Sequence, residues 1–539
     1  MLAEVIAATD RDPRRPGRHV SDAGVELAAL SPFGVERELP GLDLERWPGG
    51  AAAVPIDVGA DAALDRRRKR GSLGGRLGRA RCVPAGACRQ RRVFVRMVVL
   101  LLAKLAVVGR QTVAQVVLVL AGGALLDWSA WYRLFSRQRI AVDVLTEVLL
   151  AETLVHAPPA EPYVVGVDAT HIPRSSRKLP FSGWMRAPGT APFMRGIRPG
   201  QRFVHCAFLP PVEAGYSRAI PLRFTPAPPP SAARAGVSAV PEWQAGLQAV
   251  QWVRVRLNLA ERRQQLLLVL ADGAYDTVEW WRQLPAHTCA LVRTAKNAAL
   301  YTLPPPRSGR GQPRKYGERA PTPQEQLHLA GGWQRCTVEV RGRSLPLRYQ
   351  VTGPVLRQRA PERPLFLLVV SGATYQVGKR RPHTKERPPA YYLVSAVADG
   401  HGGWQLPLPA KTLLAWAWQR WELEVAHREM KSGLGVGEMQ CWSQHAAATS
   451  VQWCVWVYAL LILAAYRTWG LTGGPPPPGK WQLRRHRRWS LNTIWRTYRT
   501  ELWSQANFAS VALGSAADWP IIENWADTLL TAMLDNAVT

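Results

Sequence analysis

The sequence predicts a mixed α/β protein, and three stretches of the chain carry this prediction. From 93 to 156 apolar residues recur at helical spacing, with breaks at glycines. From 160 to 295 short apolar strands alternate with helices, and from 296 to 405 β-like pieces lie between Pro-rich and basic loops. The 539 residues are enough to bury about two or three hydrophobic cores. We therefore expect several domains.

The candidate elements between 160 and 295 follow a specific order. Three strands come first, at Tyr163–Asp168, Arg202–Leu209 and Ala219–Thr225. A helix follows, then a strand at Leu266–Asp272, a second helix through Trp280 and Trp281, and a fifth strand near Cys289–Val292. This order is that of the ribonuclease H fold, in which the first and fourth strands are neighbours.

The charge of the chain indicates the class of partner. With 69 Lys+Arg against 39 Asp+Glu the formal net charge is +30, which favours a polyanion through counterion release. Nucleic acid is the leading interpretation; a basic surface that serves solubility, a membrane surface or a ribosome is the alternative. The loop with Arg310, Arg314 and Lys315 is a candidate phosphate contact, against the alternative of a solvated loop.

Six segments make up the predicted organisation. They are a basic, disordered leader at 1–90, a helical DNA-binding domain at 91–157, the first part of a ribonuclease H-like core at 160–295, a β-rich insertion at 296–405, two further core helices at 406–470, and a Pro/Gly linker with a basic C-terminal segment at 471–539. For 91–157, short helices broken at glycines suit a helix-turn-helix DNA reader or, equally, a helical bundle packed on the main domain.

Cysteine usage and hydropathy bear on location. The seven Cys are scattered along the chain, which argues against a disulfide framework and favours a reducing cytoplasm. The N-terminus lacks the pattern of a secretion signal. Charged residues interrupt the apolar stretch 93–109, and Trp453–Tyr466 is apolar for only 14 residues, the length of a buried core helix. We expect no membrane partner and a cytoplasmic, nucleoid-associated protein.

Three acidic residues are the leading candidates for a catalytic site. Asp168 and Asp272 each close an apolar run, so each carboxylate is expected at a strand end on the rim of the sheet, and Glu424 lies on a predicted helix. Mg²⁺ prefers oxygen ligands and is usually held by carboxylates plus substrate phosphate. Two such ions roughly 3.5 to 4 Å apart activate the attacking oxygen and stabilise the leaving one in phosphoryl transfer.

Helical geometry separates Glu424 from Glu422 and Glu429 on the same predicted helix. At about 100° per residue, one apolar stripe contains Leu414, Trp418, Trp421 and Val425, while Glu424 shares a charged stripe with Arg420, Arg428 and Lys431. Glu422 and Glu429 fall roughly 150° away. The cations beside Glu424 suit phosphate binding; the alternative is a ladder of ion pairs four residues apart.

Residues 420–435 resemble the glutamate helix of bacterial insertion-sequence transposases of the DDE type. In the group with a β-rich insertion before that helix, the signature is Tyr-x2-Arg-x3-Glu-x6-Lys. Arg420, Glu424 and Lys431 match its last three members, while Ala417 stands at the tyrosine position. Residues 165–170 around Asp168 and 270–275 around Asp272 are similar to the two aspartate motifs of the family.

The resemblance implies a DNA transposase, an endonuclease and strand transferase that acts in DNA recombination. It implies two Mg²⁺ (or Mn²⁺) ions between the three acids, with Arg420, Arg428 and Lys431 against the phosphates. The implied partners are double-stranded DNA, both the terminal inverted repeats of a transposon and the target, and a second copy of the chain on that DNA. Two alternatives stay open: a metal-dependent nuclease of the same fold and a noncatalytic DNA-binding regulator derived from a transposase.

Overall fold

The computed structural model describes residues 87–88, 90–107, 109–118, 128–176, 178–186, 196–232, 237–306, 312–377, 383–439, 441–475 and 488–504. All of them belong to one compact unit. The predictions for nearly all of the leader, for Arg310 and for the chain after Ser504 lie outside the described residues.

Four helices precede the central sheet: α1 (Arg91–Ala106), α2 (Val113–Leu118), α3 (Trp128–Ser136) and α4 (Val142–Leu154). They pack on the rest of the molecule. The ring of Phe135 lies 5.5 Å from that of Trp453, and the buried Lys104 donates a hydrogen bond of 3.0 Å to the carbonyl of Leu434. These contacts fit a helical bundle packed on the main domain, and the reading of DNA by these helices stays a prediction.

Strands from most of the described chain form one large sheet. The first six are β1 (Tyr163–Pro173), β2 (Ser182–Arg186), β3 (Ile197–Phe208), β4 (Ile220–Pro226), β5 (Leu267–Ala271) and β6 (Thr288–Arg293). Their order is β3-β1-β5-β6, and both β2 and β4 pair with β3. The parallel pairing of β1 with β5 is the adjacency expected for the first and fourth core strands. Strand β2 is absent from the sequence prediction.

The stretch predicted as a β-rich insertion continues this sheet. Its strands are β7 (Leu300–Thr302), β8 (Gln334–Val340), β9 (Arg343–Arg357), β10 (Ala360–Val370), β11 (Ala373–Val377), β12 (His383–Arg387), β13 (Ala390–Ser395), β14 (Val397–Ala398) and β15 (Trp404–Gln405). From β6 the order runs β13-β10-β9-β7, and β8 pairs with β9. Pairs β11-β12 and β14-β15 stand apart. The result is a mixed α/β molecule with a large central sheet, consistent with a ribonuclease H-like domain.

Seven more helices complete the described elements: α5 (Glu242–Leu259), α6 (Val278–Gln283), α7 (Pro323–His328), α8 (Ala410–Gln419), α9 (Trp421–Ser432), α10 (Gln444–Trp469) and α11 (Leu491–Ser504). The helix predicted from Lys411 to Lys431 is therefore two helices that meet at Arg420, which keeps helical dihedral angles. Among the described helices, α10 is long and apolar enough to cross a membrane, but 89% of its most apolar window is buried. Such burial is typical of a core helix.

Helices pack on both faces of β1. Successive side chains of a strand point to opposite sides, so neighbouring residues of β1 contact different helices. A Cβ added to Gly166 would lie 2.3 Å from a methyl carbon of Leu423 on α9, so α9 packs directly on this part of the strand. A Cβ added to Gly246 on α5 would lie 3.1 Å from Val167, the next residue of β1. Asp168 follows Val167 and shares the face of Gly166, towards α9.

Candidate active site

The end of the parallel pair β1-β5 positions the two aspartates. Val167 of β1 is in register with Ala271 of β5, and each acid is the next residue along the chain. Asp272 follows the end of β5 as predicted, but the prediction of a strand end at Asp168 is wrong, because β1 continues to Pro173 through its pairing with β3. Since neighbouring strands are about 4.8 Å apart, the backbones of Asp168 and Asp272 are adjacent. The carboxylate of Asp272 accepts a hydrogen bond of 3.0 Å from the backbone N–H of Ala274, which fixes it at the start of the turn after β5.

Glu424 reaches the aspartates through Arg420. One guanidinium nitrogen of Arg420 lies 3.1 Å from Oδ2 of Asp168, and another lies 2.6 Å from Oε1 of Glu424. Arg420 holds this place because it stands where α8 ends and α9 begins, one helical turn before Glu424. The structure thus brings Asp168, Asp272 and Glu424 together where the β1-β5 pairing ends, with a cation between two of them.

The acids act on one another electrostatically. The pKa of Asp168 is raised to about 7, because burial and the negative charges of Asp272 and Glu424 together outweigh the lowering effect of Arg420. Burial works to lower the pKa of Arg420, but the negative charges of Asp168, Glu424 and Asp272 raise that pKa overall. These mutual effects show that the three carboxylates and the guanidinium share one electrostatic environment.

The other two glutamates of α9 have separate structural partners. Glu422, 3% exposed, accepts two hydrogen bonds from Arg488. Glu429 accepts hydrogen bonds from Arg218 at 2.9 Å and from the hydroxyl of Tyr458 at 2.7 Å. Glu422 thus forms an ion pair with Arg488 and Glu429 forms one with Arg218, rather than with groups at the aspartates. Of the three glutamates on this helix, Glu424 is the one that faces Asp168.

One part of the predicted helix pattern is wrong. The apolar stripe placed Trp421 with Leu414 and Val425, which are buried, but the side chain of Trp421 is 47% exposed. It lies under the guanidinium of Arg341, which is 5.7 Å from its ring centroid. Periodicity along one ideal helix fails here because α8 and α9 meet at Arg420.

The predicted phosphate contacts fall into two groups. Lys431 is half-buried; burial and then Arg198 lower its pKa, while Asp168 raises it, so its ammonium group lies on the side of the aspartates. Arg428, four residues after Glu424, is exposed. Arg314 and Lys315 are exposed as well, but their loop lies beside β7, where Gly317 bonds to Thr302. The structure does not bring that loop to the carboxylates.

A buried histidine pair beneath the acids was not predicted. His205 stands opposite Asp168 in the β1-β3 register, and its Nδ1 lies 3.1 Å from Nε2 of His427 on α9. Burial lowers the pKa of His205 to about 3 and that of His427 well below its ordinary value. The pair is therefore neutral near pH 7 and joins α9 to the sheet. No local pattern in the sequence distinguishes these two histidines.

The residues fit a divalent cation by their donor chemistry. Among the described residues, no group of three or more His, Cys, Asp or Glu side chains is already arranged to hold a metal ion. Arg420 instead occupies the space between Asp168 and Glu424, which shows that this space accommodates a positive charge. Carboxylate oxygens are the ligands that Mg²⁺ prefers, and all three acids supply them.

The raised pKa of Asp168 predicts a pH dependence of the metal-free protein. Between the ordinary value of 3.8 and about 7, the folded protein keeps a proton that the unfolded chain has released, so the stability falls as pH rises through this window. We expect Asp168→Asn to remove this component, so that the variant gains stability over the parent at about pH 8 but not at about pH 4.

Melting temperatures of both proteins with a chelator, measured across this range, check the expectation. A difference between parent and variant that is the same at both ends of the range would show that Asp168 does not titrate in this way.

Comparisons with known families agree with this geometry. The model of the DDE superfamily endonuclease family matches residues 85–346, and that of the Transposase DDE domain family matches residues 248–460. The first match includes Asp168 and Asp272, and the second includes Asp272 and Glu424. A comparison with curated proteins gives no match. Together the two family matches span residues 85–460, and the chain belongs to the DDE transposases.

Proposed function

We propose that this protein is a DNA transposase that cuts the ends of a transposon and joins them to target DNA by two-metal phosphoryl transfer. The observation that carries the proposal is the meeting of Asp168, Asp272 and Glu424 where the parallel pairing of β1 with β5 ends, with Arg420 between two of them. Three carboxylates around a cationic group are a suitable donor set for divalent ions.

Asp168, Asp272 and Glu424 are the residues that hold Mg²⁺ or Mn²⁺ in this proposal. Two such ions, when bound, activate the attacking oxygen and stabilise the leaving oxygen. Arg420 neutralises Asp168 and Glu424 while no ion is present. Once the ions take over that role, its guanidinium is available to a phosphate, for which its planar donors are suited.

Positive side chains mark a place for the DNA backbone beside the acids. Lys431 interacts with Arg198, which lowers its pKa, and with Asp168, which raises it, and Arg428 is exposed on the same helix as Glu424. Cations so placed hold phosphates and set the register of the DNA without reading its sequence. We assign end recognition to helices α1 to α4 and synapsis of two ends to a homodimer on DNA, in the cytoplasm.

A nuclease of the same fold is the nearest alternative, because cutting and joining use the same carboxylates. The family match to the Transposase DDE domain over 248–460 favours joining as well as cutting. The other alternative, a noncatalytic regulator, needs no acids at the site. The charged contacts among Asp168, Arg420 and Glu424 count against it.

A plasmid assay tests the proposal. The donor carries the genomic segments that flank the gene on both sides, and a second plasmid serves as the target. We expect Mg²⁺-dependent cuts at the flanking segments and covalent joining of those ends to the target. Cuts without joined products would favour the nuclease. Binding of the donor without any metal-dependent cut, in Mg²⁺ and in Mn²⁺, would favour the regulator.

A further inference from the structure

A fourth carboxylate lies beside Asp272, on the other face of the sheet from Glu424. Glu242 is the first residue of α5, the helix that packs on Val167. Burial raises the pKa of Glu242, Arg202 lowers it, and the negative charge of Asp272 raises it further. The two helices that flank β1 therefore each bring one glutamate to the aspartates, Glu424 from α9 and Glu242 from α5.

The pairing of Glu242 with Arg202 does not explain its position. The closest nitrogen of Arg202 is 3.8 Å from Oε2 of Glu242, which is too long for a hydrogen bond. Arg202 also donates hydrogen bonds of 3.0 Å each to the carbonyls of Ala227 and Val240. A glutamate in the first turn of a helix gains only about 0.3–1 kcal/mol from the helix dipole when it is exposed.

Tyr275 supplies a second and independent observation. Its side chain is 0% exposed, yet its hydroxyl has no hydrogen-bond partner. Its ring packs against Gly246, one helical turn after Glu242 on α5. Burial raises the pKa of Tyr275, and the negative charges of Glu242, Asp168 and Asp272 raise it further. A buried donor left unpaired is costly, and in native structures such a group calls for an explanation, such as a role in a different ligand state.

The ring of Tyr275 is fixed in place. A Cβ added to Gly246 would lie 2.4 Å from Cε1 of this ring, and the ring centroid of Trp280 lies 5.1 Å away in an edge-on arrangement. Its freedom to turn the hydroxyl elsewhere is therefore small. The hydroxyl therefore stays beside the turn that follows Asp272.

We propose that Glu242 is a fourth carboxylate of the cation site and that Tyr275 is a positioning residue, whose hydroxyl donates to one of the surrounding carboxylates when a divalent ion is bound. The inference rests on the proposed function, because the ion is the one that Asp168, Asp272 and Glu424 hold. It adds a carboxylate on the side of Asp272, where α5 begins.

Binding of Mn²⁺ to the full chain, measured by electron paramagnetic resonance without DNA, tests the role of Glu242. We expect Glu242→Gln to weaken Mn²⁺ binding by about 10- to 100-fold, the range for groups that tune a metal site. The control is Glu261→Gln, an exposed glutamate beyond the other end of α5, which should bind as the parent does. If a folded Glu242→Gln variant bound Mn²⁺ with the affinity of the parent, Glu242 would not belong to the cation site.

Tyr275→Phe gives a test that does not depend on the first. Removal of an unpaired buried hydroxyl should raise the melting temperature of the metal-free protein, while Mn²⁺ affinity falls by about tenfold, the lower end of the same range. A merely structural tyrosine would not move these two properties in opposite directions. Unchanged Mn²⁺ affinity in Tyr275→Phe would overturn the positioning role.

The two levels of the proposal fail in different ways. If the parent protein binds Mn²⁺ and cuts DNA while both variants match it, only the fourth carboxylate and its tyrosine are wrong. If the parent itself binds no Mn²⁺ in the same titration, the metal-dependent function is wrong and this inference falls with it.

Discussion

Replacing Glu424 with glutamine should reduce cleavage of end-containing DNA by at least about 100-fold, because a bound metal ion supplies several kcal/mol of transition-state stabilisation and each 1.36 kcal/mol is a factor of ten. Glutamine keeps the size of the side chain and its polar contact with Arg420. It removes the charge that an ion needs. Asp168→Asn and Asp272→Asn should have the same effect. Rates of Mg²⁺-dependent cutting, measured with the flanking DNA, check this.

DNA binding is the internal control for these variants. Backbone contacts through Lys431 and the other cations do not require a metal, so the dissociation constant for the same DNA in a chelator should change little. A comparison of Glu424→Gln with Glu429→Gln, both on α9, tests which glutamate belongs to the catalytic site. If Glu424→Gln still cut while a folded Glu429→Gln did not, the assignment of Glu424 would be wrong.

Loss of the ion pair between Arg218 and Glu429 should destabilise the protein by about 3–5 kcal/mol, the usual cost of breaking a buried pair by removing one partner. Arg218 is 3% exposed and lies 2.9 Å from Glu429, and its guanidinium also stacks on Trp489. In Arg218→Met the carboxylate of Glu429 keeps Tyr458 and the N–H of Leu491 and the positive charge of Arg488 nearby, but it loses the guanidinium that donates a hydrogen bond to it. Urea unfolding measures the change.

A matched control is available on the surface. Arg282 pairs with Glu362 at 3.4 Å with both side chains about half exposed, and breaking such a pair costs about 0–1 kcal/mol. Arg282→Met should therefore leave the unfolding midpoint nearly unchanged. If Arg218→Met and Arg282→Met lowered the free energy of unfolding by the same small amount, the buried pair would not hold α9 in place. It would then not fix the orientation of Glu424 either.

Local sequence patterns were sufficient for the strands that carry the aspartates. Each apolar run ends at an acid, although β1 continues beyond Asp168 to Pro173, and the order of elements predicts that the first and fourth strands are neighbours, as β1 and β5 are. The spacing of Arg420 before Glu424 also has a local origin, one helical turn. These features depend on contacts within a strand, a helix or one βββαβ sequence of elements, which periodicity captures.

The pairing of the predicted insertion with the core strands could not be predicted from the sequence. The antiparallel pairing of β6 with β13 joins Val292 to Leu393 and makes the predicted insertion part of the central sheet, but nothing local to either strand specifies its partner. The short β2 is formed by its pairing with the first residues of β3 and has no apolar run of its own. Both are set by tertiary contacts that override local propensity.

The finer parts of the site depend on partners far away in the chain. Glu422 and Glu429 look like Glu424 in composition, and they differ because Arg488 and Arg218 lie beside them in space. Glu242 carries no distinguishing local signal, because an acid in the first turn of a helix is common. Tyr275 was interpreted only as part of the motif after Asp272. Its unpaired hydroxyl is visible only in three dimensions.

Calorimetric titration of Mn²⁺ into the parent protein, Asp168→Asn, Asp272→Asn and Glu424→Gln tests the central claim most directly, that these three acids hold the ions together. The account predicts two ions bound per parent chain and, in every variant, affinity weakened by at least about 10-fold. The same stoichiometry and affinity in all four proteins would contradict it.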